Sequence, residues 1–225
     1  MKRGISLLIV ITGIFLFAGF IVPKEKGKSE YFQGYIKYKI TSEGRELSAT
    51  EKAQMPSELI VYYKEGKSRQ EMVTAMGNIV TISDSETKET IMLIDMMGNK
   101  LAIKTSKEEN EKALAEMKEP EINYLNETKE IAGYTCKKAE IKTEQGEITA
   151  YLTEDIKVKN ANWNSYKGLN GIMLEYTANS NQDEDLILIF TAVEVKSTKV
   201  NSSMFTIPAG YEEVSSEEAR SMFGG

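Results

Sequence analysis

Cys136 is the one cysteine of this chain, and it is the first candidate for covalent chemistry. A thiolate becomes a nucleophile when nearby cations or a helix N-terminus lower its pKa, and Lys137 follows it directly. The chain has no histidine that could serve as a base. By strand alternation Cys136 shares a face with Lys138 and Lys142, which predicts a partly exposed thiol unless a bulge at Gly133 changes the register. Cys136 is therefore a candidate reactive thiol, with a structural role or an intermolecular bond as alternatives.

The chain contains 11 methionines, several of them close together in sequence. Methionine is soft and adaptable, which suits a surface that holds varied apolar ligands. We take Met72, Met92, Met96, Met173 and Phe190 as candidate lining residues of an apolar ligand cavity. Ordinary core packing and a Cu(I) site are the alternatives for the methionines.

Residues 179–185 place oxygen-bearing side chains at alternating positions, as a calcium loop does. The segment lacks the glycine and the glutamate that such a loop carries at its sixth and twelfth positions, so a polar hairpin tip is the better interpretation. The absence of histidine and the single cysteine exclude histidine-dependent triads and the usual zinc and iron–sulfur sites. We therefore predict no metal and no cofactor.

Charge argues against a nucleic-acid partner. The chain of 225 residues has 28 Lys and Arg against 34 Asp and Glu, a net charge of −6. Phosphate binding needs dense clusters of basic side chains, and none stands out. With 41% hydrophobic and 28% charged residues, the composition is that of an ordinary globular protein.

The N-terminus predicts export. Lys2 and Arg3 precede an uncharged apolar run over residues 5–22, and Pro23 follows it. Residues 1–23 fit either a cleaved signal peptide or a retained membrane anchor, which in the second case would be a transmembrane helix. Residues 24–30 are a polar linker, and residues 31–225 form a single domain. The predicted location is the periplasm or cell envelope, with membrane association through residues 5–22 if the leader is retained.

Most of the remaining chain has the alternation of β-strands. Apolar residues fall on one face of residues 31–40, and similar runs follow at short intervals, separated by Gly, Asn and Asp turns. Residues 106–119 predict the clearest helix, because Ser106 and Glu109 have capping-box spacing and Pro120 ends the run. A longer polar loop at residues 155–167 carries the single tryptophan, Trp163. Several strands are apolar on both faces, so something must cover the second face of the sheet.

Three stretches carry a resemblance to known families. Residues 127–139 read ETKEIAGYTCKKA, residues 168–176 read GLNGIMLEY, and residues 205–211 read FTIPAGY. Together they resemble a family of envelope proteins of unknown function with an IAGYxC hairpin. The middle stretch also resembles the GLPGLI signature, with Asn170 in place of the proline. The resemblance implies the fold of the lipoprotein carriers LolA and LolB.

We therefore expect a mainly β (α+β) fold: a curved antiparallel sheet or half-barrel, LolA-like, with one or two helices against its concave face. The expected function is non-catalytic and not that of an enzyme: the protein would bind a lipid, a lipidated protein or another apolar ligand in the half-barrel cavity. The functional part of this expectation comes from fold analogy. The alternative is a structural or protein-interaction module of the envelope without a small ligand, for which the polar loop at residues 155–167 with its tryptophan is the candidate contact surface.

Overall fold

A computed structural model describes residues 30–74, 77–96, 98–144, 146–164, 166, 168–180 and 183–223. The predicted leader and linker, residues 1–29, lie outside these residues. Within them no helix has the length and apolar character needed to cross a membrane.

The described chain is mainly β, as its alternation predicts. The strands are β1 (Gly34–Gly44), β2 (Glu58–Lys64), β3 (Lys67–Thr74), β4 (Gly77–Asp84), β5 (Thr90–Met96), β6 (Asn99–Thr105), β7 (Glu121–Ile131), β8 (Tyr134–Thr143), β9 (Gly146–Thr153), β10 (Ile172–Ser180), β11 (Asp183–Ser197) and β12 (Glu212–Ser215). The helices are α1 (Ala49–Gln54), α2 (Lys107–Glu116) and α3 (Ser216–Phe223), with a 3₁₀ turn at Ser202–Phe205.

Local sequence explains where α2 begins. The Ser106 side chain accepts a hydrogen bond from the Glu109 backbone, and the Glu109 carboxylate accepts one from the Ser106 backbone at 2.8 Å. This reciprocal capping box satisfies two amide groups that the first turn of a helix leaves unpaired. The predicted start of this helix is therefore confirmed.

All twelve strands belong to one sheet, in the order β12-β6-β5-β4-β3-β2-β1-β11-β10-β9-β8-β7. Pairing is antiparallel except for β12, which runs parallel to β6, so the sheet is mixed rather than purely antiparallel. The ends of the order, β12 and β7, do not pair, and the sheet stays open. β11 also contacts β7, although three strands separate them in the hydrogen-bonding order, which requires strong curvature in this half.

The core explains the strands that are apolar on both faces. One cluster joins Ile36 and Tyr38 of β1 to Leu174 of β10, and the loop before β10 packs onto it through Ile156. In the other half of the sheet, the segment after β11 covers Val80, Ile82 and Leu93 through Val200 and Phe205. The covering elements are thus two irregular segments. α2 buries none of its own residues, so the expected helix cover is not what fills the sheet.

Candidate functional site

Cys136 is fully buried, so the prediction of a partly exposed thiol is wrong. Its Sγ donates to the Tyr134 carbonyl at 3.5 Å. Burial, with a contribution from the nearby carboxylate of Glu130, raises the pKa of Cys136 to about 11. The register shift that changes this region lies in β7, between Tyr124 and Thr128, and not at Gly133. A protonated, inaccessible thiol is a poor nucleophile, and this geometry favours the structural alternative.

The four candidate lining residues whose side chains the structure describes lie in different surroundings. Phe190 is buried and stacks on Tyr176 with ring centroids 4.6 Å apart, while Met72 packs at the edge of the same cluster. Met173 belongs to a different cluster, and Met92 is 42% exposed on β5. Met96 lies in β5 as well, and its side chain is outside the part that the structure describes.

The structure does not test the calcium-like segment. The side chains of residues 179–185 lie outside what the structure describes. In the described part of the chain, no group of cysteine, aspartate or glutamate side chains is placed to hold a metal ion.

The segment between β9 and β10, residues 154–171, forms a long loop that we name the Trp163 loop. Its first part is tied to the sheet: Ile156 is buried in the core, and the Phe32 amide donates to the Lys157 carbonyl at 2.6 Å. Its last part is tied as well, because Leu169 is buried against β8 and β9. The Asn170 amide donates to the Tyr124 hydroxyl at 2.9 Å. A long loop with buried anchors at both ends can present the residues between them in a fixed position.

Asn162 closes this loop on itself. Its Nδ2 donates to the Leu169 carbonyl at 2.9 Å and to the Gly171 carbonyl at 3.1 Å. Gly171 has a φ of +95°, and a Cβ there would lie 2.5 Å from the Thr153 carbonyl oxygen. Only glycine tolerates both the conformation and the close approach. One amide side chain and one glycine therefore set the path of the loop around Trp163.

Trp163 itself is half-buried and held from two sides. The Lys88 ammonium lies 4.8 Å from the centre of its ring, a cation–π contact. The next residue, Asn164, donates through Nδ2 to the buried Ser83 hydroxyl at 3.2 Å. The backbone carbonyl of Lys88 accepts from Asn110 of α2 at 2.9 Å. The indole therefore sits where the loop, the β4–β5 turn and α2 meet.

Two cavities adjoin at Trp163, Asn162 and Leu169. The first, which we name the helix cavity, measures about 520 Å³ and lies between the loop and the segment from Leu114 to Pro120. The second, the asparagine cavity, measures about 780 Å³. Both volumes fall in the range of about 300–1,000 Å³ that small-ligand sites occupy.

Both cavities have mixed linings. The helix cavity has apolar and aromatic walls from Leu114, Met117, Pro120 and Tyr166, with the charged side chains of Lys118, Glu119 and Glu144 among them. The asparagine cavity combines charged and amide side chains, Lys88, Glu154, Lys157, Asn160 and Asn170, with the rings of Tyr31 and Trp163 and with apolar Ile156, Val158 and Ile172.

An exposed ion pair lies at the rim of the helix cavity. Lys118 and Glu144 lie 2.5 Å apart, and the hydrogen bond to Glu144 raises the pKa of Lys118. Burial raises the pKa of Tyr166, so its phenol stays neutral and can donate or accept a hydrogen bond. Aromatic faces with amide, hydroxyl and charged groups around them can bind a ligand that is apolar on one side and polar on another.

From the sequence, the segment around Trp163 was predicted only as a contact surface. The cavities could not be predicted, because their walls come from five separate parts of the chain: Tyr31, Lys88, residues 114–120, Thr143 with Glu144, and residues 154–172. The weak signal in the sequence was a lone tryptophan within a run rich in asparagine.

Comparisons with known proteins point to a different family from the one that the motifs suggest. A family described as "N-glycanase peptide, N-terminal domain" matches residues 36–215. The structure of PNGF-II in space group P21 is similar with a TM-score of 0.53 at 20% identity, covering 84% of this chain and 33% of that chain. The structure of PNGF-II in space group C2 has a TM-score of 0.53 at 16% identity, covering 84% and 32%. No curated protein matches the chain.

These findings correct several expectations. The resemblance to the IAGYxC envelope family, to GLPGLI and to LolA and LolB is wrong, because a different family covers nearly the whole domain. The motifs on which this resemblance was based are short and local. The IAGY stretch forms the β7–β8 turn, where Ala132 and Gly133 both have positive φ. Such a turn recurs wherever two strands meet tightly.

The functional expectations fall with the resemblance. Binding of a lipid, a lipidated protein or an apolar envelope ligand was derived from the LolA analogy, and the same match overturns it. The alternative of an envelope interaction module finds no support either. The expectation of a protein that is not an enzyme is contradicted, since the matching family takes its description from an N-glycanase.

The fraction of each chain that is matched determines whether a comparison shows the fold or the family. This chain spans about a third of the PNGF-II chains, and at 16–20% identity that likeness shows the fold alone. The family match, in contrast, extends over residues 36–215 and so includes most of the chain. The chain therefore belongs to the family of the N-glycanase peptide, N-terminal domain.

Proposed function

We propose that this domain binds the glycoprotein substrate of an N-glycanase-type reaction, and that it does so at Trp163 and the two cavities beside it. An N-glycanase releases glycans that are linked to asparagine. The chain spans about a third of the PNGF-II chains, and the proposal concerns the binding of substrate by this domain.

The chemistry of a glycan suits this surface. A sugar ring has an apolar face of C–H groups and an edge of hydroxyls that both donate and accept hydrogen bonds. Trp163 and Tyr31 offer ring surface for the face, and the amides of Asn160 and Asn170 offer partners for the hydroxyls. Lys157 and Glu154 supply charged groups whose hydrogen bonds are stronger than those of neutral groups.

One observation carries the proposal: the only tryptophan of the chain sits at the junction of two cavities, on a loop locked by its own side chains. Preorganisation of this kind lowers the entropy cost of binding.

Other parts of the proposal concern the whole chain. We keep residues 1–23 as an export segment, residues 24–30 as a linker and residues 31–225 as one domain. Export to the periplasm or cell envelope would bring the domain to glycoproteins outside the cytoplasm. We also keep the half-barrel shape as a proposal, which the contact of β11 with β7 supports.

Trp163 provides the test, because its fluorescence reports on this one place. A glycoprotein with a single N-glycan, and the same protein after removal of the glycan, are titrated into the purified chain. We expect a change in emission and saturable binding with the glycosylated form only. Trp163→Ala should weaken binding measured by calorimetry by about tenfold or more, as loss of a central aromatic contact does. The matched control is Tyr35→Ala, since Tyr35 lies on β1 away from both cavities and bonds Glu194 at 2.9 Å.

Equal binding of the two glycoprotein forms would overturn the proposal, and so would an unchanged affinity in Trp163→Ala. Release of free glycan by the chain alone is followed by mass spectrometry in the same samples.

A further inference from the structure

We infer that Asn170 and Gly171 form a self-modification site, at which the asparagine loses its side-chain amide and becomes aspartate or isoaspartate in the folded protein. The reactants are these two residues and water. Asn170–Gly171 is the single asparagine–glycine pair of the sequence. The inference does not rest on the proposed function, because it concerns the chemistry of the Trp163 loop itself.

The reaction needs a side-chain carbonyl carbon and a backbone nitrogen that can approach it. The Gly171 amide nitrogen gives up its proton to a base in the solvent and attacks Cγ of Asn170. A new C–N bond closes a five-membered succinimide ring, and the bond from Cγ to the side-chain nitrogen breaks, so that ammonia leaves with a proton from water. Water then opens the ring at either carbonyl, which gives aspartate or an isoaspartyl link. The net change is the uptake of water and the release of ammonia.

Both reacting groups are unused by the hydrogen bonds of the described residues. The Asn170 side chain is exposed at the rim of the asparagine cavity, and the bond that this residue makes to Tyr124 uses its backbone amide. Gly171 accepts from Asn162 through its carbonyl oxygen, while no acceptor for its amide lies among the described residues. Water and base can therefore reach both groups.

The missing side chain of Gly171 opens the path to its nitrogen. A Cβ on the residue after an asparagine crowds the attacking nitrogen, and glycine carries none. The fold requires glycine here for a separate reason, since a Cβ would lie 2.5 Å from the Thr153 carbonyl oxygen and φ is +95°. The close approach of the loop to β9 therefore also keeps the nitrogen unshielded beside an exposed asparagine.

The product changes the loop in two ways. A carboxylate replaces the carboxamide, so the cavity of about 430 Å³ that Asn170 lines with Lys137 and Glu154 loses a hydrogen-bond donor and gains a negative charge. An isoaspartyl link also adds a methylene to the backbone between two anchors. These anchors are the bond to the Tyr124 hydroxyl at 2.9 Å and the bond to the Gly171 carbonyl at 3.1 Å. A longer chain between them cannot keep both bonds at their present geometry.

The test is incubation of the purified native chain at pH 6 and at pH 8, followed by peptide mapping with mass spectrometry. We expect conversion at Asn170, faster at pH 8 because base removes the Gly171 proton, with isoaspartate identified by its enzymatic methylation. Asn160 is the internal control: it is exposed in the same loop but precedes Ala161, and we expect no conversion there in the same time. The chain unfolded in urea gives the rate of the pair without the fold.

Two variants sharpen the test. Asn170→Gln keeps an amide and the backbone bond to Tyr124, but its longer side chain cannot close the five-membered ring, so this position should stay unmodified. Asn162→Ala releases the Gly171 carbonyl, and we expect faster conversion at Asn170. Fully converted protein should have a Tm about 2–4 °C below that of fresh protein, the effect of losing a hydrogen bond in a domain of this size, while incubated Asn170→Gln keeps its Tm.

Each outcome is decisive. An Asn170 that stays unmodified in the native protein would overturn the inference, whether or not the unfolded chain converts. Equal conversion at Asn160 would also overturn it, because the glycine would then not be the cause. An unchanged Tm after full conversion would contradict the stated effect on the loop anchors.

Discussion

Removing the side chain of Asn162 is the sharpest test of how the Trp163 loop is built. Its Nδ2 makes two hydrogen bonds, at 2.9 Å to the Leu169 carbonyl and 3.1 Å to the Gly171 carbonyl. Each such bond contributes about 0.5–1.5 kcal/mol net, so Asn162→Ala should cost about 1–3 kcal/mol. For a domain of this size, a loss of about 2 kcal/mol lowers the Tm by about 4–8 °C.

The loss should also show locally. Without the bridge, Trp163 is no longer held to the end of the loop through its neighbour Asn162, and we expect its side chain to become more mobile. We expect acrylamide to quench Trp163 fluorescence more strongly in Asn162→Ala than in the parent protein. Asn162→Asp should be at least as damaging, because a carboxylate would face two carbonyl oxygens with no proton to donate.

The assay combines thermal unfolding, followed by far-UV circular dichroism, with acrylamide quenching of Trp163 fluorescence at a temperature where both proteins are folded. Asn123→Ala is the control, since Asn123 is an exposed residue of the edge strand β7. A Tm of Asn162→Ala that matches the control, together with unchanged quenching, would refute the reasoning that this amide shapes the loop.

Further predictions concern Gly171, Cys136 and Phe205. Gly171→Ala should destabilise the domain by about 2 kcal/mol or more in urea unfolding, because a Cβ would meet the Thr153 carbonyl at 2.5 Å and φ is +95°; a midpoint equal to that of the parent contradicts this. Cys136, with a pKa raised by burial to about 11, should react with iodoacetamide at pH 8 far more slowly in the native protein than in urea. Because the thiol ionises at lower pH in the unfolded chain, Cys136 makes the free energy of unfolding decrease as the pH rises from about 9 towards 11. Cys136→Ala should make this decrease smaller. An equal pH dependence of the unfolding free energy in both proteins would contradict this prediction. Phe205→Ala should cost about 3–5 kcal/mol, since its buried ring holds the segment after β11 on the sheet, and calorimetric unfolding measures this; a cost below about 1 kcal/mol would show that the segment is held by other contacts.

Local sequence carried enough information for most elements of the fold. Helix α2 begins where its capping box places it. In β1 the predicted alternation is confirmed, with Ile36, Tyr38 and Ile40 buried on one face. These features depend on neighbours within a few residues, and their physical causes are backbone propensity, capping and side-chain periodicity.

Features that depend on distant neighbours were missed or mistaken. β12 is short and acidic, and its parallel pairing with β6, a strand far away in the chain, has no signal in the local sequence. Cys136 has the alternation of a half-exposed residue, yet it is completely buried in the cluster that contains Ile156 and Leu174. The motif-based family assignment failed for a related reason: a tight hairpin and a closing turn recur in unrelated folds.

The candidate site shows the same division. The sequence by itself determined that the chain is mainly β, that it has no histidine and a single cysteine, and that its one tryptophan lies in a long polar loop, because these are properties of composition and short-range pattern. Only the tertiary structure decided that Trp163 meets Lys88 and the end of α2, and that two cavities adjoin there. The reason is that the walls of a cavity come from residues far apart in the chain, and only the folded chain brings those residues together.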